Sequence, residues 1–219
     1  MNKVRALLLR PFTRAVLTGH PGAAGASGVN GATGAAGAVD MPAVLDGGIL
    51  LARLPKGRLG DEGTRLVGSI VVAQVWAAAT GRAAIPQHQR RDAALVIDEC
   101  QNFLNLPYGI DEILAEARGL RLSVTLAHQN LAQLPRDLRE GISANARNKI
   151  FFTVGPDDAR DLARHTLPQL GEHDLAHLDA FHAAARLVNH GAETPAFTLR
   201  TRPLPPAQRR PQGSTRPRR

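Results

Sequence analysis

Two apolar runs, "AALVID" at 93–98 and "LRLSVTLAHQ" at 120–129, are separated by one segment of helix length, "YGIDEILAEARG" at 108–119. In that segment Ile110, Ile113, Leu114 and Ala117 recur at helical spacing, Asp111 and Glu112 occupy the first turn, and Gly119 stands where a helix can be capped. A strand–helix–strand unit of this size has few ways to fold: the crossover is right-handed and the two strands run parallel, so both end on the same edge of the sheet. That edge collects Asp98, Glu99, His128 and Gln129. Ligands of open α/β sheets bind at such an edge.

The flanking sequence repeats the alternation. "DEGTRLVGSIVVAQVWAAAT" at 61–80 reads as a helix apolar on most faces, hence buried. "GILLARL" before Pro55 is a short apolar run, "PRDLREGISAN" reads as helix, "KIFFTV" as a third strand, and "GPDDARDLARHT" as a helix with Pro156 in its first turn. "AARLVNHGAETPAFTLR" predicts a closing hairpin that turns near Gly191. The expected fold class is α/β, with a mainly parallel sheet, helices on both faces and a C-terminal β-hairpin. Four stretches are expected along the chain: an N-terminal segment (1–18), a flexible linker (19–38), one α/β domain (39–202) and a disordered tail rich in Arg and Pro (203–219). The linker carries glycine at every third position from Gly19 to Gly37, but it is short, nearly free of proline and flanked by globular sequence, which argues against a collagen helix.

Length and composition set outer limits. At 219 residues and 43% hydrophobic content, the chain is long enough for one sizeable core. Its net charge of +8 favours polyanionic partners such as DNA, although Arg200, Arg202, Arg209, Arg210, Arg216, Arg218 and Arg219 concentrate much of it at one end. The single cysteine, Cys100, excludes an internal disulfide and fits a reducing, cytoplasmic setting. The apolar stretch 66–79 falls short of the ~20 residues a membrane span requires, so no transmembrane segment is expected.

Phosphoryl transfer to water asks a protein for a held metal, a positioned water and positive charge on the transition state. Asp98 at a strand end is suited to holding Mg²⁺ through its water shell, Glu99 to orienting the attacking water, and Gln129 to bonding that water or a γ-phosphate. Arg118 is a candidate arginine finger across a subunit boundary, or else a last-turn cation of its helix; Arg147 is a second candidate.

Taken together, "LVIDECQNFLNLP", "DEILAEARGLRLSVTLAHQNLAQLP" and "ANARNKIFFTV" resemble the C-terminal part of the TraG/TraD-like coupling ATPases of conjugative DNA transfer and type IV secretion, within the HerA–FtsK branch of RecA-like P-loop ATPases. The resemblance implies a partial RecA-like fold, ATP and Mg²⁺ as cofactors, and a homo- or hetero-oligomer, a hexameric ring in the family. It also implies work on DNA with the secretion machinery, at the inner face of the membrane through partners. On that analogy Asp98 and Glu99 match the Walker B pair, Gln129 the sensor glutamine, and Arg118 the arginine acting in trans.

A Walker A loop requires lysine after glycine, whereas Lys3 follows Asn2, Lys56 follows Pro55 and Lys149 follows Asn148. In the family that loop lies ahead of the matched segment, so the chain resembles the second half of a motor domain: hydrolytic residues without the phosphate cradle. The expectation is a split or truncated motor that does not hydrolyse ATP alone; the alternatives are a non-catalytic DNA-binding adaptor or an inactive gene fragment. "HDLAH" at 173–177 has two histidines at zinc-binding spacing, yet Asp174 is too short for the base of a metalloprotease, and Leu170, Leu175 and Leu178 account for the segment as a packing helix. Cys100 has no sequence neighbour to activate a thiolate and reads as a small core residue.

Overall fold

The computed structural model describes residues 39–104, 106 and 109–205. The segment 1–18, the Gly/Ala tract 19–38 and the tail from 206 onward lie outside the described residues. The chain divides after Ala146 into two compact units.

The first unit opens with α1 (Met41–Leu45), capped where the Asp40 carboxylate accepts from the Ala43 N–H at 3.1 Å. Helix α2 (Lys56–Gly81) breaks at Gly60, whose φ of +70° suits glycine, and so restarts at Asp61, where the sequence predicts its beginning. Val67, Val72, Val75, Trp76 and Ala79 bury one face of it. The stretch 59–84 is long and apolar enough to cross a membrane by length and composition, and 44% of its most apolar window is buried inside the structure. Core helices pass the same test. "GILLARL" forms no strand, and Ile49 and Leu51 are exposed.

Strand β1 (Ala93–Ile97), helix α3 (Ile110–Glu116) and strand β2 (Leu122–Leu126) follow. The strands pair in parallel from Ala93 opposite Leu122 to Ile97 opposite Leu126, as the strand–helix–strand pattern predicts. Ile97 and Leu122 are buried, whereas Ala94, Val96, Ser123 and Thr125 on the other face are exposed. Ile110, Ile113 and Ala117 bury the expected face of α3. The left-handed residue after that helix is Arg121 (φ +55°), not Gly119. Helix α4 (Arg136–Asn145) completes the unit and lies against α3, where Gly141 meets Ile110 and Asp111.

The second unit holds β3 (Lys149–Phe151), α5 (Pro156–Leu162), α6 (Glu172–Ala176), β4 (His182–Arg186), β5 (Val188–Asn189), β6 (Ala192–Glu193) and β7 (Phe197–Arg200). The "KIFFTV" strand does form, but it pairs antiparallel with β4, which pairs antiparallel with β7. The fold class is therefore mixed α/β: a parallel pair in the first unit and antiparallel C-terminal strands in the second. The β5–β6 hairpin turns at His190 and Gly191, both with positive φ, as a two-residue hairpin loop requires. Ala159, Ala163, Leu175 and Ala184 make the core of this unit, with Phe151, Val154 and Leu162 packed on it.

His165 stacks on Phe151 with ring centroids 6.4 Å apart. Burial, then the charges of Lys149, Arg164 and Arg186, lower its pKa from 6.5 to about 4, against a weaker opposing pull from Glu193. Between those values the unfolded chain holds a proton that the native one refuses, so stability rises with pH there and is lost as pH falls through about 4. Urea midpoints followed from pH 7 down to pH 4 are expected to decline, and His165→Phe to flatten that slope.

Candidate functional site

Strand β1 ends at Ile97, and the chain then turns at Asp98 and Glu99. Asp98 is exposed and its Oδ1 accepts from the Glu99 N–H at 3.0 Å. Glu99 sits in the left-handed region (φ 52°, ψ 49°), a conformation that costs a non-glycine residue about 1 kcal/mol or more. A single 3₁₀ turn, Cys100–Asn102, follows. Two backbone bonds carry the parallel ladder past the strand ends: the Ala127 N–H donates to Ile97 O and the Cys100 N–H to Ala127 O, both at 2.9 Å. They hold 98–99 beside 127–129.

The side chains meet across that junction. The Gln129 amide donates to Glu99 Oε1, so the sequence-predicted carboxylate and amide, thirty positions apart, are in direct contact. Gln101 Nε2 donates to the other oxygen, Glu99 Oε2, at 2.7 Å, and also to Gln133 Oε1 at 2.9 Å. The Gln133 backbone N–H is in turn held by Asn130 Oδ1 at 3.0 Å. Gln101 Oε1 and His128 Nδ1 are buried with no partner among the described residues.

The turn is anchored from below. Cys100 is fully buried, and burial pushes its thiol up to about 11, so it packs as a small core residue and carries no thiolate near neutrality. Ser69 Oγ donates to Phe103 O at 3.0 Å, and Gly68 leaves room for the Phe103 ring, which a Cβ there would meet at 2.2 Å.

The arginines lie elsewhere. Arg118 is exposed in the turn after α3, and no hydrogen bond or ion pair joins it to Asp98, Glu99 or Gln129. Arg147 belongs to the second unit, where its guanidinium donates to Gly191 O at 3.0 Å and closes the hairpin turn. Among the described residues no group of three His, Cys, Asp or Glu side chains is placed to hold a metal. His173 and His177 stack at 4.1 Å, and His177 Nδ1 is paired with the His173 carbonyl at 2.8 Å. Asp174 caps its own short helix by accepting from the Gly171 N–H, and Leu175 fills the core, so "HDLAH" is used for packing.

Sequence reasoning missed Gln101 and Gln133. The signals were present: Gln101 is the one amide directly inside "DECQ", and Gln133 lies four residues after Gln129. Spacing alone does not show that a 3₁₀ turn folds Gln101 back onto Glu99.

Residues 92–178 match the family described as the TraM recognition site of TraD and TraG. Among solved structures, the plasmid coupling protein TrwB in complex with the non-hydrolysable GTP analogue GDPNP is 16% identical over 61% of this chain and 37% of its own, with a TM-score of 0.48. An unbound form of the conjugative coupling protein TrwB lacking its N-terminal segment gives 15% identity over 62% and 37%, with a TM-score of 0.49. TrwB in complex with ADP and Mg²⁺ gives 16% over 61% and 37%, with a TM-score of 0.48. The chain thus spans little more than a third of the length of these proteins. No curated protein matches it in sequence. Residues 92–178, which contain Asp98, Glu99, Arg118, Gln129 and Arg147, are thus similar to the C-terminal TraM-recognition segment of TraD and TraG, the conjugative coupling proteins.

Proposed function

We propose that this chain supplies the hydrolytic rim of a conjugative coupling motor and takes the phosphates of ATP from a phosphate loop outside these 219 residues. The observation that carries the reading is the bonded Glu99 carboxylate and Gln129 amide at the joined ends of two parallel strands, beside the exposed Asp98. A site with one exposed carboxylate and no cage of ligands suits Mg²⁺, which keeps most of its waters and takes its other ligands from phosphate oxygens. Asp98 is the residue that would hold it, and the ion would supply charge neutralisation at the phosphates.

Glu99 orients the attacking water through the oxygen that Gln129 now occupies, and Gln129 reports the γ-phosphate by changing partner. Arg118, exposed and bonded to neither acid, is free to reach a neighbouring subunit as an arginine finger, with Arg147 as the second arginine of that kind. On this reading the motor segment is 39–202, spanning both compact units, with 1–18 and 19–38 ahead of it and the basic tail 203–219 behind. The description of the matched family favours a TraM-type protein as the partner of 92–178. Positive charge in the tail favours DNA as well, and the adaptor reading rests on that charge alone.

ATP turnover is the test. The purified chain is expected to show none above background, to change the turnover of an added coupling ATPase that has its own Walker A loop, and to lose that effect in Glu99→Gln. Unaided turnover abolished by Glu99→Gln overturns the split-site reading. DNA binding that disappears with salt, alongside no effect on the added ATPase, favours the adaptor.

A further inference from the structure

We propose that Gln101 is a positioning residue for Glu99, holding its carboxylate ready while Gln129 is released to the ligand; this rests on reading 98–99 and 129 as the rim of a nucleotide site. Each oxygen of Glu99 receives one side-chain amide, but the two amides are unequal. Gln129 comes from the end of β2 and is exposed, so a phosphate can compete for it. Gln101 comes from the 3₁₀ turn, is partly buried, and is braced by Gln133, which Asn130 braces in turn.

The chemistry fixes which way the Gln101 amide faces. A carboxylate only accepts, so the amide nitrogen must point at Glu99, and this drives Gln101 Oε1 into a buried position where no donor meets it. An unpartnered buried oxygen is destabilising, and leucine would fill the same space without it. Space filling therefore does not explain a glutamine here. The bond to Glu99 does: it draws a carboxylate already set in a left-handed backbone toward one fixed orientation, leaving the Gln129 arm as the exchangeable one.

The test uses the full chain and the side-chain NH₂ protons of Gln129, which touch Glu99 and make no bond to Gln101. In Gln101→Leu the chain is expected to melt no lower than the wild type, while the Gln129 NH₂ protons exchange roughly tenfold faster because the carboxylate they bond has lost its second tether. Gln133→Leu, which leaves Glu99 untouched and removes the brace, should move the same protons in the same direction by less. A merely space-filling role predicts unchanged Gln129 protons in Gln101→Leu, because leucine keeps the volume, with lowered melting only in Gln101→Ala, and that pattern overturns the proposal. The underlying reading is checked on the wild type: a coupling ATPase with its own Walker A loop, added together with ATP and Mg²⁺, should shift the Asp98 and Gln129 signals. Silence there overturns the nucleotide reading, and with it the purpose of the clamp. A responsive wild type with unchanged Gln129 protons in both variants overturns the positioning role only.

Discussion

Replacing Arg82 with leucine is expected to cost the first unit about 2–6 kcal/mol, because two buried carbonyls lose their donor while its ion-pair partner Asp46 is exposed. Arg82 is only 5% exposed although it is charged. Its guanidinium donates to Leu45 O at 2.9 Å, to Asp46 Oδ1 at 2.8 Å and to Leu120 O at 3.4 Å. These acceptors come from the end of α1 and from the turn between α3 and β2, so one side chain satisfies two carbonyls and a carboxylate oxygen at two separate places in the unit. Leucine would leave Leu45 O and Leu120 O buried without a donor, at about 1–3 kcal/mol for each such group. Lysine would not rescue it, because a single ammonium cannot reproduce the planar fork. Guanidinium chloride unfolding followed by far-UV dichroism should show a lower midpoint with an unchanged slope for Arg82→Leu, and Arg82→Lys should recover less than half of the loss. A midpoint equal to that of the wild type would show that water replaces the fork and that the network is ornamental. Since Leu120 lies two residues before β2, the loosened turn is also expected to broaden the Gln129 signals.

Leu175→Ala is expected to take about 3 kcal/mol from the second unit. Leu175 is fully buried, and its buried cluster neighbours Ala159, Ala163 and Ala184 have only a methyl group each. Small neighbours on short helices and on a paired strand have little freedom to move into the gap, so the cavity term adds to the lost transfer energy. Its carbonyl also accepts from the Val154 N–H at 3.3 Å, tying the stretch after β3 to α6. Amide exchange at Ala183, Ala184 and Ala185 in β4 is the local measurement, and it should quicken by roughly two orders of magnitude for a loss of this size. Leu175→Met, which keeps the volume, is expected to cost less than about 1.5 kcal/mol. Equal losses for alanine and methionine would mean that shape at this point matters more than volume.

Much of the candidate site was legible in the sequence because the relevant signals are local and periodic. Apolar runs of strand length flank a helix-length segment with one apolar face, and the chirality of the crossover then leaves one arrangement. Asp98, Glu99 and Gln129 follow as the residues at the shared edge, and the Glu99–Gln129 bond places two of them in contact. The hairpin at Gly191 was legible for a similar reason, since only certain residues accept positive φ. The partner of "KIFFTV" was not. A three-residue strand between a helix and a turn carries no pattern that separates a parallel place beside β2 from an antiparallel one beside β4, because register and direction depend on the other strand. The helix terminus after α3 was misplaced for a different reason: the left-handed position fell on Arg121, whose guanidinium donates to Asp92 at 3.0 Å, while glycine two residues earlier was the local favourite.

By itself the sequence determined the strand–helix–strand unit, the edge on which its polar ends gather, and the similarity to TraG/TraD-like coupling proteins, since each depends on order and spacing along the chain. Tertiary structure alone decided that Glu99 adopts a left-handed backbone, that Gln101 turns back onto it with Gln133 behind, and that Arg82 disappears into the core. Those features are set by where buried donors and acceptors can find partners once the elements have packed, and no period in a single chain records that.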